Sequence, residues 1–316
     1  MRDIYQVAHY LLGGIRGGLG VATVAANAAF AAITGVSIAS ASVFARVAVP
    51  EMMRFGYKPR FAVGVVAGSS VLGMLIPPSV MLIIYAIITE QSVAALFKAG
   101  IIPGIMLALA YIVAIVVMAT FFPDYVGGQN DDDAVDLQER KLSKGEVFGK
   151  TAPLVTLVLL VLGGIYGGVF TPTEAGAVGA LGALIIALLK RKLDRTVLWQ
   201  VLVETGHIVA SILMLIVAAT MYSRMLGISG LPNELGEWIN QADIGFYGIL
   251  TIYVLLLIVL GTILDTTSII LIMVPLFLPV IIPHGVDLVW FGIVTIVGAE
   301  IGLLTPPLGI SCYVIK

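Results

Sequence analysis

The sequence predicts an all-α membrane protein built from two oppositely oriented copies of a helical hairpin followed by an interrupted helix. Three observations carry this. The chain of 316 residues is 59% hydrophobic and only 11% charged, where a soluble domain carries about a quarter charged residues. Two long apolar runs are each cut by a proline pair, at Gly73-Met74-Leu75-Ile76-Pro77-Pro78-Ser79 and at Gly302-Leu303-Leu304-Thr305-Pro306-Pro307-Leu308. One offset of 229 residues carries the first cut onto the second, and also Pro50 onto Pro279, Gly56 onto Gly285, Ser37 onto Thr266 and Phe61 onto Trp290. Adjacent prolines remove backbone donors and clash with the preceding turn, so the helix breaks. Bare backbone at membrane depth is tolerated only inside protein or beside a wet cavity. Matching breaks in two repeats are the sequence pointer to a transporter binding site.

The elements follow in order. Residues 1–13 are short, amphipathic and aromatic, the pattern of an interfacial helix; they lack the layout of a signal peptide. Residues 17–33 and 36–53 are apolar but marginal as spans. Their joint, Thr34-Gly35-Val36-Ser37, is small and polar, so a hairpin that enters and leaves on one side is expected. Residues 61–88 cross with the first break, and 96–122 cross back. Residues 123–150 are hydrophilic, with Asp131-Asp132-Asp133 and then Arg140, Lys141, Lys144 and Lys150. Residues 151–170 and 174–189 are spans joined by Thr171-Pro172-Thr173-Glu174, a helix start with early proline and an acid in the first turn. Residues 198–222 cross again, and 231–241 form a second interfacial segment. The second hairpin is 246–262 and 268–283, and the second broken span begins near Val286. The expected division is a first repeat over 1–122, a cytoplasmic linker over 123–150 and a second repeat over 151–316.

Charge sets the orientation. With the linker inside, Arg2, Arg16, Arg54, Lys58, Arg60, Arg140, Lys141, Lys144, Lys150, Lys190, Arg191, Lys192 and Arg195 all face the cytoplasm, thirteen of the 17 basic residues. Only Lys98 and Arg224 fall in outer loops, as the positive-inside rule requires. The first hairpin then lies on the cytoplasmic side and the second on the outer side, so the repeats are inverted. Equal repeat units also imply about 80 further residues before the first and about 35 after the last.

Several classes are excluded. The lone Cys312 supports neither a disulfide framework nor a cysteine metal site. No HExxH, GxSxG or paired catalytic acids occur, so the chain does not read as an enzyme, and no cofactor is implied. Residues 144–151 fail the phosphate-loop spacing. A net charge of −2 gives no reason to expect nucleic acid.

Four stretches resemble one family. They are Gly64–Ser79 with its Leu75-Ile76-Pro77-Pro78-Ser79, Leu96–Gly104, Gly164–Ala175 with Thr171-Pro172-Thr173-Glu174, and Glu300–Gly309 with Thr305-Pro306-Pro307. Together they resemble the large membrane subunit of tripartite ATP-independent periplasmic (TRAP) transporters, over essentially the whole chain. The resemblance implies a multi-pass permease of the bacterial inner membrane, driven by sodium ions and importing a small organic anion such as a C4-dicarboxylate. It implies two partners, a small membrane (Q) subunit and a periplasmic substrate-binding protein. It also implies an elevator motion of hairpins and broken helices against a scaffold. The tip Thr34-Gly35-Val36-Ser37 departs from the family's more serine- and glycine-rich tip. The alternatives are a stand-alone sodium/dicarboxylate symporter and the membrane part of an ATP-driven importer.

The candidate sites follow from the tips and breaks. A desolvated sodium ion needs about five or six oxygens, which unwound backbone and hydroxyls supply. Thr34, Gly35 and Ser37 with Ser69, Ser70, Gly73 and Ser79 form the expected first site. Gly261, Asp265, Thr266 and Thr267 with Gly302, Thr305 and Pro306 form the expected second. The bland alternative is that these hydroxyls cap helix ends or bond nearby carbonyls. The substrate anion is expected near the half-helix amino ends, against Ser37, Pro77, Pro78, Ser79, Thr266 and Pro307. Arg46 is the only basic residue deep in the first hairpin; it either neutralises a carboxylate or snorkels outward. Glu300 is expected to brace the second break.

Overall fold

The computed structural model describes residues 15–127, 144–191, 193–231 and 245–307, with isolated residues at 7, 234, 236–238, 309 and 315. The first interfacial helix, the Asp131–Lys141 stretch, most of the second interfacial segment and Cys312 lie outside these residues. All regular structure among the described residues is helical; one isolated bridge joins Tyr57 and Gly127. The helices fall into two compact units, Met1–Val80 with Phe97–Leu162 and Leu308–Lys316, and Met81–Leu96 with Gly163–Pro307.

The first unit holds α1 (Gly18–Thr34), α2 (Ser37–Arg54), α3 (Pro59–Ser70) and α4 (Leu72–Leu75). The chain reverses between α1 and α2 at Gly35, whose φ of +61° is open to glycine at no steric cost. The legs pack on α3 because each presents small or aromatic residues at helical spacing. Phe30 meets Phe44 edge to face at 5.8 Å, and Tyr57 stacks on Phe61 at 5.9 Å. Pro59 starts α3 at a position whose N–H has no helical partner. At Ile76 the backbone turns extended, and the helix resumes as α5 (Val80–Thr89), bent by 41° from the run over Pro59–Leu75. The expected break is therefore present. α6 (Val93–Phe121) follows, long and apolar, with little of it buried, and α7 (Pro123–Val126) ends this stretch.

α8 (Lys144–Tyr166) leads into the second unit, which holds most of α5 together with α9 (Pro172–Leu189), α10 (Arg195–Ser229), α11 (Phe246–Gly261), α12 (Thr266–Ile281) and α13 (Leu288–Leu304). α9 starts on the expected signal. Thr171 N donates to Glu174 Oε2 at 2.9 Å, and Glu174 N donates to Thr171 Oγ1 at 3.3 Å, a reciprocal cap. Asp265 and Asp287 cap α12 and α13. α10 runs 35 residues, roughly 52 Å at the usual rise, ten residues longer than the expected crossing, and it stops at Gly230 in the left-handed region. α6, α9, α10 and Thr266–His284 are each long and apolar enough to cross a membrane, as is the bent run over Pro59–Thr89.

The units interleave along the chain. Within the second, Tyr85 makes a tight contact. Its ring is fully buried against Gly292, where a Cβ would lie 2.5 Å from the ring, and its hydroxyl donates to Leu288 O at 2.7 Å. α5 is thereby held to α13, the helix that ends just before the second proline pair.

Candidate functional site

In each unit a hairpin tip lies directly on a proline break. In the first unit Val80 N donates to Gly35 O at 3.2 Å, and a Cβ on Gly35 would strike Pro78 O. A Cβ on Gly73 would lie 3.2 Å from the Val36 carbonyl and 3.3 Å from Ser37 N. These glycines are where they are because backbone meets backbone with no room for a side chain. Gly35, Ser37, Gly73, Pro77, Pro78 and Ser79 are thus brought together as expected.

The hydroxyls of this cluster divide. Thr34 Oγ1 donates to Phe30 O, Ser69 Oγ to Val65 O and Ser70 Oγ to Ala67 O, at 3.2, 2.6 and 2.7 Å. Back-bonding of this kind is the bland alternative foreseen for them. Ser37 differs. It is 0% exposed, its Oγ has no hydrogen-bond partner among the described residues, and it opens α2, whose amino end shows no side-chain cap among them. A buried hydroxyl left without a partner costs about 1–3 kcal/mol, so this atom calls for an explanation. Arg46 is exposed on α2, between half-buried Ala45 and Val47. It is two residues from buried Phe44, about 200° around the helix, and so is not gathered with the tip.

In the second unit the equivalent contact is glycine on glycine. A Cβ on Gly261 would lie 2.6 Å from Gly302 Cα, and one on Gly302 would lie 2.7 Å from Gly261 Cα. Asp265 caps α12: its Oδ2 accepts from Ser268 N at 3.2 Å and its Oδ1 from Ser268 Oγ at 2.5 Å. Thr267 Oγ1 points to Met81 Sδ at 3.7 Å and Thr305 Oγ1 donates to Ile301 O at 2.7 Å. Pro306 and Pro307 are exposed. Thr266 Oγ1 instead donates to Glu300 Oε1 at 2.8 Å, with both residues buried.

One group escaped the sequence reading. Asn27, Ser40 and Ser69 form a buried chain across α1, α2 and α3: Asn27 Nδ2 donates to Ser69 Oγ at 2.5 Å, and Ser40 Oγ donates to Asn27 Oδ1 at 2.7 Å. A lone amide in an apolar helix was the available signal. Glu300 reaches beyond its own helix to the hairpin. The tips offer hydroxyls, unwound carbonyls and one carboxylate, all hard oxygen donors, and this set fits an alkali cation. Among the described residues no group of three or more His, Cys, Asp or Glu side chains is placed to hold a metal ion.

Comparison with known proteins gives one family. The family described as "Tripartite ATP-independent periplasmic transporter, DctM component" matches residues 1–316. The C4-dicarboxylate TRAP transporter large permease protein DctM of Pseudomonas aeruginosa is 34% identical, over 99% of this chain and 71% of that protein. Its namesake in Rhodobacter capsulatus is 35% identical, over 99% and 72%. The sialic acid TRAP transporter large permease protein SiaM of Vibrio cholerae is 31% identical, over 99% and 71%.

Proposed function

We propose a sodium-driven uptake cycle from one premise: the chain belongs to the DctM family, as the large permease of a tripartite ATP-independent periplasmic transporter, an integral protein of the bacterial inner membrane. The substrate is a small organic anion. Two of the relatives named above carry C4-dicarboxylate in their names and one carries sialic acid; both are carboxylates, so the class, not the member, is what we infer.

One observation carries the reading: the Ser37 hydroxyl, buried and without a hydrogen-bond partner among the described residues, at the start of α2 and pressed against the first break. Free N–H groups and the helix dipole at such an end favour an anion, and Ser37 Oγ adds a donor. Backbone carbonyls around the Gly35 tip and the break at Ile76–Ser79 supply oxygens for a sodium ion beside it. Thr266 and the backbone at Gly261 and Gly302 do the same in the second unit. Fixed tips on fixed breaks suit hairpins that travel as rigid pieces, an elevator motion against α6, α9 and α10. A small membrane subunit covers part of that apolar scaffold, and a periplasmic binding protein delivers the anion. The protein is a transporter component and performs no bond chemistry.

Uptake in proteoliposomes tests this. The full-length permease, its small subunit and its binding protein should accumulate a labelled dicarboxylate or sialic acid only with an inward sodium gradient. Ser37→Ala should lower uptake without reducing the amount of folded protein. Equal uptake in potassium defeats the sodium coupling; uptake without the binding protein defeats the three-component reading.

A further inference from the structure

We infer that Glu300 is a positioning residue that makes Thr266 a cation ligand; this rests on the sodium reading above and sharpens it. A carboxylate buried in an apolar helix is expensive, and an intramembrane ionisable group marks function by default. Glu300 is 0% exposed and Thr266 is 3% exposed. Their bond ties the first turn of α12, directly after the tip, to α13 one turn before its break.

The chemistry lies in where the proton goes. A threonine hydroxyl has one hydrogen and two lone pairs. With its hydrogen committed to Glu300 Oε1, Thr266 Oγ1 presents only lone pairs to anything else. Bonding to a carboxylate also polarises the O–H, leaving the oxygen more electron-rich. A ligand oriented and made more basic by a second carboxylate is a familiar arrangement at metal sites. Asp265 faces its own helix start: both its oxygens accept from Ser268.

The repeat supplies the contrast. The offset that carries Ser37 onto Thr266 also carries Val71 onto Glu300. The first tip therefore has a hydroxyl whose hydrogen is uncommitted, suited to donating to an anion. The second has a hydroxyl whose hydrogen is taken, suited to accepting a cation. The two halves share a plan and differ in what the hydroxyl at each tip offers a ligand.

The test uses the full-length permease with two readouts. One is the sodium-dependent rise in melting temperature of the purified protein, measured against choline. The other is the sodium half-saturation of uptake in the reconstituted three-component system. Glu300→Gln keeps an acceptor oxygen and removes the charge. It should need about tenfold more sodium in both readouts, while substrate KM at saturating sodium stays in place. Thr266→Val should shift sodium likewise, and Thr266→Ser should restore the response relative to valine. If Glu300→Gln does not fold, the valine and serine variants carry the test. The inference is overturned if the wild type responds to sodium and the variants respond at the same concentrations. A wild type indifferent to sodium in both readouts overturns the sodium reading and this inference with it.

Discussion

The Asn27 amide nitrogen donates to Ser69 Oγ across 2.5 Å, joining the first leg of the first hairpin to the helix that precedes the first break. The same amide accepts Ser40 Oγ on the second leg. Ser40 lies one turn beyond Ser37, and Ser69 one turn before Gly73, so the clasp sits directly behind the tip contact. Asn27→Ala should destabilise the protein by about 1–3 kcal/mol, because Ser40 loses a buried acceptor. Asn27→Ala with Ser40→Ala should cost less than the two single changes added, by at least about 0.5 kcal/mol. Denaturant unfolding in detergent reads both; full additivity of the two changes denies the clasp.

Gly302 faces backbone on three sides. An added Cβ would lie 2.7 Å from Gly261 Cα, 2.8 Å from Ile258 O and 2.9 Å from Leu257 O. None of these atoms is a flexible side-chain end. Gly302→Ala should therefore cost about 1–3 kcal/mol and lower the melting temperature. Gly64→Ala is the comparison: nothing lies within 4 Å of a Cβ there, and alanine in a helix gains up to about 1 kcal/mol over glycine. Opposite signs for the two variants are expected in a thermal melt.

Asp265 separates two roles by substitution. Alanine removes the cap of α12 and should cost about 1 kcal/mol, whereas asparagine caps nearly as well as aspartate. Asp265→Asn should therefore melt within roughly 0.5 kcal/mol of the wild type. A melt as low as that of Asp265→Ala would show that the charge, and not the cap, stabilises this tip.

The start of α9 gives a local check. Thr171 and Glu174 are exposed, yet each satisfies the other's backbone N–H. Thr171→Ala should cost about 0.5–2 kcal/mol and speed amide hydrogen exchange in the first turn of α9, leaving α12 and α13 unchanged. Unaltered exchange there counts against the cap.

Local signals in the sequence were enough to locate the elements. Proline and glycine act on their own backbone, so the break at Ile76–Ser79 and the reversal at Gly35 needed no partner to be read. The first hairpin was expected at 17–33 and 36–53 and is found at Gly18–Thr34 and Ser37–Arg54. The Thr171–Glu174 start was legible for the same reason: its two hydrogen bonds span three residues. The serines were harder. Ser69 and Ser70 have the composition of ion ligands, and only the helix around them shows that each hydroxyl turns back on a carbonyl one turn away.

What the sequence determined alone is the membrane class and the paired proline breaks, because apolar length and backbone restrictions are properties of short stretches. What the tertiary structure decided is which polar atoms meet. Asn27 and Ser69 are 42 residues apart, Thr266 and Glu300 are 34, and Tyr85 and Leu288 are 203. A hydrogen bond is made within about 3 Å, and no periodicity of hydrophobic residues encodes a distance that fine. It is set only when helices pack, which is why Glu300 reads as a brace in one dimension and as the hydrogen-bond acceptor of Thr266 in three.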